Sequence, residues 1–394
     1  MNIGIFIGDV EESKGGEFTF QDNIIWALEQ IDTCHDIFVF HYGKRQGSET
    51  VGKVTYVQLI RNKKFSRLIR RTLNRLTGRK INTSVLQLTV NRYCIELMWF
   101  PSLNFAALDV PYICTVLDLE HRVHPFFPEV GSEETWHWRE RLYTSMIPRA
   151  AYTITGTEAG KREIIDFYGP NAERVRVVPF PATPFALEER DIPAAVLQKY
   201  GIDKPYLFYP AQFWPHKNHV ALLQALKLLR ERDSLDMEVV FCGSDKGNVA
   251  HVREVARELR LEQHVRFLGF ITRDELYALY HHAFALVYPT MFGPDNLPPL
   301  EAFAIGCPVA ASSVSGAVEQ LGDAALLFDP RHEEEIVSAV LQLHREPELR
   351  ETLVRRGKER AKQWTALDYV REVMALCDEF KAYRRCWSSR EKYH

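Results

Sequence analysis

Short apolar runs and 3.6-residue apolar patterns alternate along most of this chain. In the first half, Ile3–Ile7, Ile37–Phe40, Val54–Leu59, Ile95–Phe100, Tyr112–Val116, Tyr152–Thr155 and Val175–Val178 read as strands. Helical patterns separate several of them, for example Thr157 to Tyr168. Proline then clusters at Pro179, Pro181 and Pro184, and a charged stretch follows from Glu188 to Asp191. That region reads as an interdomain connection. The pattern restarts with Tyr206–Tyr209. Helices are predicted near Asn218–Arg232, Val249–Arg260 and Arg273–His281, with strands at Val239–Cys242, Val265–Leu268, Phe284–Tyr288 and Val309–Ala311. From Glu333 onward the chain is mostly helical and charged. Continuous apolar runs joined by helices predict α/β architecture with parallel, doubly wound sheets.

Length and composition narrow the function. At 394 residues the chain holds two domains more readily than one. A net charge of −3 gives no global reason to expect nucleic acid. No apolar run approaches the roughly 20 residues of a membrane span. The start enters a strand at once, so no secretory leader is expected. The seven cysteines include no C-x-x-C pair, and Cys94, Cys114, Cys242 and Cys307 lie in or beside apolar strands. Free, buried thiols and a cytoplasmic location are the expectation.

Ligands of doubly wound sheets sit beyond the carboxyl ends of strands, so the loops there carry the candidate chemistry. Phe292-Gly293-Pro294-Asp295-Asn296-Leu297-Pro298-Pro299-Leu300-Glu301 follows one strand and opens a helix. It predicts an anion site at the helix N-terminus, with Glu301 in the first turn able to grip ribose hydroxyls. Gly15-Gly16, after the first strand, reads as a tight turn or as backbone that approaches a ligand. It is not the G-x-G-x-x-G fingerprint of a nicotinamide enzyme. Lys217, after Trp214-Pro215, is either a solvated lysine at a helix start or a counter-charge to a diphosphate. The loop from Thr115 to Pro125 carries Asp118, His121 and His124. No further ligand with supporting spacing favours metal there. Asp118 and His121 read as sugar- or acceptor-contacting groups or as a structural network. From Arg61 to Lys80 nine basic residues and no acid surround apolar positions at helical spacing. That segment reads as a solvated basic helix or as one lying on an anionic membrane surface.

Several of these motifs carry a family resemblance. Val265-Arg266-Phe267-Leu268-Gly269-Phe270, Tyr288-Pro289-Thr290, Pro298-Pro299-Leu300-Glu301-Ala302, Gly306-Cys307-Pro308-Val309 and Leu326-Leu327-Phe328-Asp329-Pro330 resemble retaining GT-B glycosyltransferases, most closely the family four group. The resemblance is strongest from about Val175 to Pro330 and looser before it. It implies two Rossmann-like domains facing across a cleft: 1–180 on the acceptor side, a linker at 181–204, a nucleotide-sugar domain at 205–365, and a helix at 366–394 returning to the first domain. It implies a UDP-, GDP- or dTDP-sugar donor, no metal, and a glycan or lipid-linked acceptor in polysaccharide or glycolipid assembly. The inner membrane face is an alternative location. Residue by residue, it implies a diphosphate ligand at Lys217, a ribose ligand at Glu301, base contacts at Gly269-Phe270-Ile271, and a glycine loop at Gly15 and Gly16. Gly293, Asp295, Asn296 and Leu297 fall in the donor loop.

Three positions depart from the family pattern. Thr290 or Pro294 stands where the first glutamate of Glu-x7-Glu belongs, and Pro294-Asp295-Asn296 reads as an insertion. Gln212 replaces a phosphate-binding arginine, and Leu117 replaces a histidine. A sugar contact from Asp295 or Asn296 is therefore one expectation. A non-catalytic sugar-nucleotide binder is the alternative to an enzyme.

Overall fold

The computed structural model describes residues 1–8, 15–43, 48–60, 84–190, 192 and 195–388. Lys14 and the basic segment from Arg61 to Lys80 lie outside the described residues.

Two sheets form the frame. The first contains β1 (Asn2–Gly8), β2 (Asp36–His41), β3 (Ser48–Val51), β4 (Val54–Gln58), β5 (Leu97–Phe100), β6 (Tyr112–Thr115), β7 (Tyr152–Thr155) and β8 (Val175–Val177). Its order is β3-β4-β2-β1-β5-β6-β7-β8, and every pairing is parallel except β3 with β4. The second contains β9 (Tyr206–Pro210), β10 (Glu238–Cys242), β11 (Val265–Phe267), β12 (Ala285–Tyr288), β13 (Val309–Ser312) and β14 (Leu326–Phe328). Its order is β11-β10-β9-β12-β13-β14, parallel throughout.

In each sheet the strand order reverses at one place. These points lie between β1 and β5 in the first sheet and between β9 and β12 in the second. Crossover helices leave to opposite faces there, so a crevice opens beyond the strand ends. The loops at those points carry Gly15-Gly16 in the first domain, and Lys217 and the Phe292–Asn296 loop in the second.

β5 explains why the strand signal was continuous rather than alternating. Leu97, Met98, Trp99 and Phe100 are all fully buried, because layers cover both faces of the sheet. Leu97 and Trp99 face a layer that includes the helix Ala366–Arg384, whereas Met98 and Phe100 face the opposite core. That last helix starts with a capping box between Thr365 and Asp368. It then packs on the helix Gly16–Leu28 of the first domain. Tyr369 meets Phe20 edge-on at 5.4 Å, and Phe20 stacks on Phe180 at 4.4 Å. The chain crosses between domains twice, side by side. Ala182 bridges Thr365, and Trp364 Nε1 donates to Pro179 O at 2.6 Å.

Some expectations needed correction. The connection after Pro179 contains two short helices, Pro184–Leu187 and Ala195–Tyr200. The strands β3 and β14 and the helix Glu133–Met146 were not predicted. β3 pairs only with β4 at the sheet edge. Glu133–Met146 buries only Tyr143 and Met146, so its apolar stripe is narrow. Among the described residues no helix is long and apolar enough to cross a membrane.

Candidate functional site

One cavity of about 910 Å³ runs between the two domains. Gly15 and Gly16 line it from one side, Lys217, Gly269, Phe270, Ile271 and Glu301 from the other. Gln212, Asp118, Gly293, Asp295, Asn296 and Leu297 line it as well.

Gly15 has φ 65°, a left-handed conformation, and Gly16 begins the Gly16–Leu28 helix. A Cβ at Gly15 would come within 3.0 Å of the Gln212 side chain, while one at Gly16 would meet nothing within 4 Å. The glycines thus let the two domains approach at Gln212 and leave space beside Gly16. No side chain caps this helix, so its first N–H groups face the cavity end. Gln212 donates to Ser244 Oγ at 2.9 Å and accepts from Trp214 Nε1 at 3.2 Å. It therefore braces the loop after β9.

Lys217 ends a single 3-10 turn, Pro215–Lys217. Its Nζ donates to Tyr288 Oη at 3.0 Å and lies 5.2 Å from that ring's centre. Tyr288 Oη in turn donates to Asn296 Oδ1 at 3.0 Å, and Asn296 Nδ2 donates to Gly293 O at 2.7 Å. The Asn296 amide is thus used in shaping the loop.

The helix after β12 differs from the expected anion site. It spans Leu297–Ile305, with Pro298 and Pro299 at its second and third positions. Neither has an N–H, and Asn296 N–H already donates to Gln320 Oε1 at 3.0 Å. Of the four donors at a usual helix start, Leu297 N–H remains for a ligand. The Gly16 helix start leaves more backbone donors uncapped. Glu301 lies at the fifth helical position rather than in the first turn, and it is 6% exposed. Burial pushes its pKa up to about 7, although Tyr280 Oη donates to it at 2.9 Å and Arg273 draws it down. Eight residues before Glu301 stands Gly293 rather than Pro294, so Glu-x7-Glu spacing places no carboxylate on this loop.

Asp295 is half-buried and packs against Gly156 of the first domain, where a Cβ would meet its Oδ2 at 2.2 Å. Burial, with Glu319 nearby, pushes its pKa up to about 8. Thr290 is buried; its hydroxyl donates to Phe292 O at 2.8 Å. Phe270 is 66% exposed, an open ring at the cavity rim.

In the first domain, Asp118 pairs with Arg139 and accepts from Glu120 N–H at 3.1 Å. Burial would raise its pKa, but Arg139 and that N–H hold it below the usual carboxylate range. His121 does not line the cavity. It is fully buried, 2.8 Å from Glu140 Oε1 and 3.2 Å from Tyr168 Oη, and its ring stacks on Tyr143. This is the structural-network alternative, and it removes His121 from the cavity wall.

Sequence reasoning missed Glu120 and Glu129. Glu120 Oε1 accepts the Gly293 N–H across the cleft at 3.2 Å, and its Oε2 lies 2.6 Å from His124 Nδ1. Burial, then the charges of Asp118 and Glu163, push its pKa up to about 8. Glu129 Oε1 accepts both His216 N–H at 2.9 Å and the His216 Nδ1 bond at 2.6 Å. The His216 ring stacks on Phe292 at 4.0 Å. Farther along, Glu319 accepts from the backbone of Glu158 at 2.6 Å and Ala159 at 3.1 Å, at the start of the helix Glu158–Tyr168. One first-domain carboxyl group, that of Glu120, thus holds the backbone of the Phe292–Asn296 loop, whose own motif lacks a carboxylate. Within the segment Leu117 to Glu129, the acids gave no spacing signal because their partners lie some 90 to 170 positions away in sequence.

Residues 196–360 match the model of the family described as glycosyl transferases group 1. The chain has the GT-B fold, and within it residues 196–360 carry the likeness to the group 1 glycosyl transferases. It is 28% identical over 245 residues to O-antigen chain mannosyltransferase B of Escherichia coli, covering 60% of this chain and 63% of that protein. It is 33% identical over 213 residues to a D-inositol 3-phosphate glycosyltransferase of Salinispora tropica, covering 50% of this chain and 41% of that protein. The matched segments thus span less than two thirds of these relatives. Sucrose-phosphate synthase from Thermosynechococcus elongatus superposes on the GT-B frame with a TM-score of 0.72 at 16% identity, covering 97% of this chain and 100% of that one. HepE from Anabaena, solved in complex with UDP and glucose, superposes with a TM-score of 0.71 at 16% identity, covering 96% and 100%.

The raised pKa of Glu120 has a consequence for stability. In the folded protein it stays protonated up to about pH 8, whereas in the unfolded chain it ionises near the ordinary glutamate value of 4.5. Between those values the unfolded state binds fewer protons, so stability falls as pH rises. Glu120→Gln is expected to flatten this part of the profile, measured as Tm from pH 5 to pH 8 against the parent. An unchanged slope would contradict the buried, protonated carboxyl.

Proposed function

We propose that this protein is a retaining glycosyltransferase that moves a sugar from a nucleotide diphosphate sugar to an acceptor hydroxyl in polysaccharide or glycolipid assembly. The observation that carries the reading is the interdomain cavity, with the Gly16 helix start on the first-domain side and Lys217, Glu301 and Phe270 on the second-domain side. A sugar nucleotide is long, anionic in the middle and apolar at the base. The cavity matches that order. Uncapped N–H groups and Lys217 suit the diphosphate, the Glu301 carboxylate suits two ribose hydroxyls, and the exposed Phe270 ring suits the flat base. The mannosyltransferase relatives support a hexose donor.

In this reading the bond from the anomeric carbon to the diphosphate oxygen breaks as negative charge grows on the phosphate. Lys217 and the Gly16 helix N-terminus stabilise that charge. The acceptor hydroxyl attacks from the same face, and its proton passes to the departing phosphate oxygen. This reading assigns no covalent nucleophile among the described residues and takes retention as same-face displacement. Asp118 and Glu120 flank the acceptor side, and closure of the domains brings them over the donor.

The test is a panel of GDP-mannose, UDP-glucose, UDP-N-acetylglucosamine and dTDP-rhamnose, followed by mass spectrometry for donor hydrolysis and for transfer to membrane-extracted glycolipid. Turnover of one donor, with retained configuration by NMR, is expected. Saturable donor binding without hydrolysis or transfer would replace this reading with a sugar-nucleotide-binding protein.

A further inference from the structure

On the far side of the first domain, away from the cleft, three side chains of different chemistry converge. Cys34 and His35 lie in the turn before β2, and Asp378 projects from the fourth turn of the returning helix Ala366–Arg384. Among the described residues this is the one grouping of three His, Cys, Asp or Glu side chains whose ligand atoms lie within 4.8 Å of one another. We propose that Cys34, His35 and Asp378 bind a thiophilic divalent cation such as zinc, which ties the returning helix to the first domain.

Two observations carry the assignment. The separations fit a shared metal: Cys34 Sγ lies 3.8 Å from Asp378 Oδ1, and His35 Nε2 lies 3.3 Å from the same oxygen. Two ligands of a tetrahedral zinc ion, with bonds of about 2.0 Å to nitrogen or oxygen and about 2.3 Å to sulfur, stand about 3.3 Å (N to O) and about 3.5 Å (S to O) apart. The second observation is His35 itself. The residue is 1% exposed, and its Nε2 makes no hydrogen bond although Asp378 is close. A buried ring nitrogen whose neighbour is a carboxylate oxygen at 3.3 Å, outside hydrogen-bond geometry, is better satisfied by a cation that the two groups share. The donor set of thiolate, imidazole and carboxylate suits zinc, with the exposed side of Cys34 and Asp378 leaving a fourth position for water.

The place gives the site its meaning. The helix Ala366–Arg384 begins at the second interdomain crossing, beside Ala182, and ends against the first sheet. A metal at Asp378 pins its far half to the Cys34 turn. The anchor on which the second domain swings then stiffens without any change in the cleft. Cation binding needs the thiolate and an imidazole free at Nε2. The His35 Nδ1 lies 3.5 Å from the Met1 amino nitrogen, so loading also displaces a proton from this group of atoms. Affinity should therefore rise with pH.

The experiment uses the full chain stripped of metal with a chelator and titrated with Co²⁺. A thiolate-to-cobalt charge-transfer band and tetrahedral d–d bands are expected, saturating at one equivalent and displaced by Zn²⁺. Cys34→Ser should abolish the charge-transfer band. Asp378→Asn should weaken binding at least tenfold. Cys94→Ser and Cys386→Ser, at the other exposed thiols, should leave the spectrum intact. Hydrogen exchange should slow in residues 366–384 when Zn²⁺ is added to the parent protein, and not in Cys34→Ser. Absence of a thiolate band in the folded parent, or its survival in Cys34→Ser, overturns the proposal. None of these readouts depends on transferase activity.

Discussion

A Lys217→Ala protein is expected to fold normally and to lose roughly 10²–10³ in kcat, the cost of removing one preorganised group that meets charge developing in the transition state. Lys217 is half-buried, and its ammonium is held over the Tyr288 ring by the hydrogen bond to the phenol. That ring is itself fixed by Asn296. The ammonium therefore arrives at the diphosphate already oriented, and little reorganisation is needed as the bond breaks. The substitution removes no interdomain contact, so the melting temperature should change little. Single-turnover kinetics with saturating donor measure the effect directly. A variant with kcat within a few-fold of the parent would remove Lys217 from the leaving-group site. Tyr288→Phe should show a smaller loss, because it keeps the ring and removes only the phenol that orients the lysine.

Glu301→Ala is expected to act on donor binding instead, raising the KM for the donor by about 10- to 100-fold, the equivalent of losing one or two hydrogen bonds to a charged acceptor. Its carboxylate is buried and bonded to Tyr280, so its position is set before the nucleotide arrives. The pH dependence gives a sharper check. Burial puts the Glu301 pKa at about 7, so the carboxyl is increasingly ionised as pH rises through that value. The ionised form accepts hydroxyl hydrogen bonds more strongly. Donor KM should therefore fall from pH 6 to pH 8 in the parent and stay flat in Glu301→Gln. A donor lacking both ribose hydroxyls should bind the parent and Glu301→Ala alike. Unequal binding of that donor would mean that Glu301 acts through the loop rather than on the ribose.

The strands were legible because their signal is local. Tyr152–Thr155 is aromatic or β-branched at every position, and the layers packed on the sheet bury both of its faces. That Lys217 and Glu301 line the cavity follows from a related signal. Both lie in the loop-and-helix segments that follow β9 and β12, and in a doubly wound sheet such segments point at the crevice. His121 shows where such reasoning stops. It shares a loop with Asp118, but one step along a short helix turns it from the cavity to Glu140 and Tyr168. The Leu297 helix shows a different limit. Its opening has the composition of an anion site, yet two prolines remove donors and Gln320 takes another.

By itself the sequence determined the two parallel sheets, the break between them and the strand-end loops, since apolar periodicity and proline placement act within a few residues. Only the tertiary structure decided which groups share the cleft. Glu120 reaches Gly293 and Glu129 reaches His216 across the interdomain gap, and Cys34 meets Asp378 across 344 positions. These pairings come from the chain's double crossing at Ala182 and Thr365 and from the helix that returns to the first sheet. Local pattern carries no record of such distances, because burial, hydrogen bonding and pKa depend on what arrives from elsewhere in the chain.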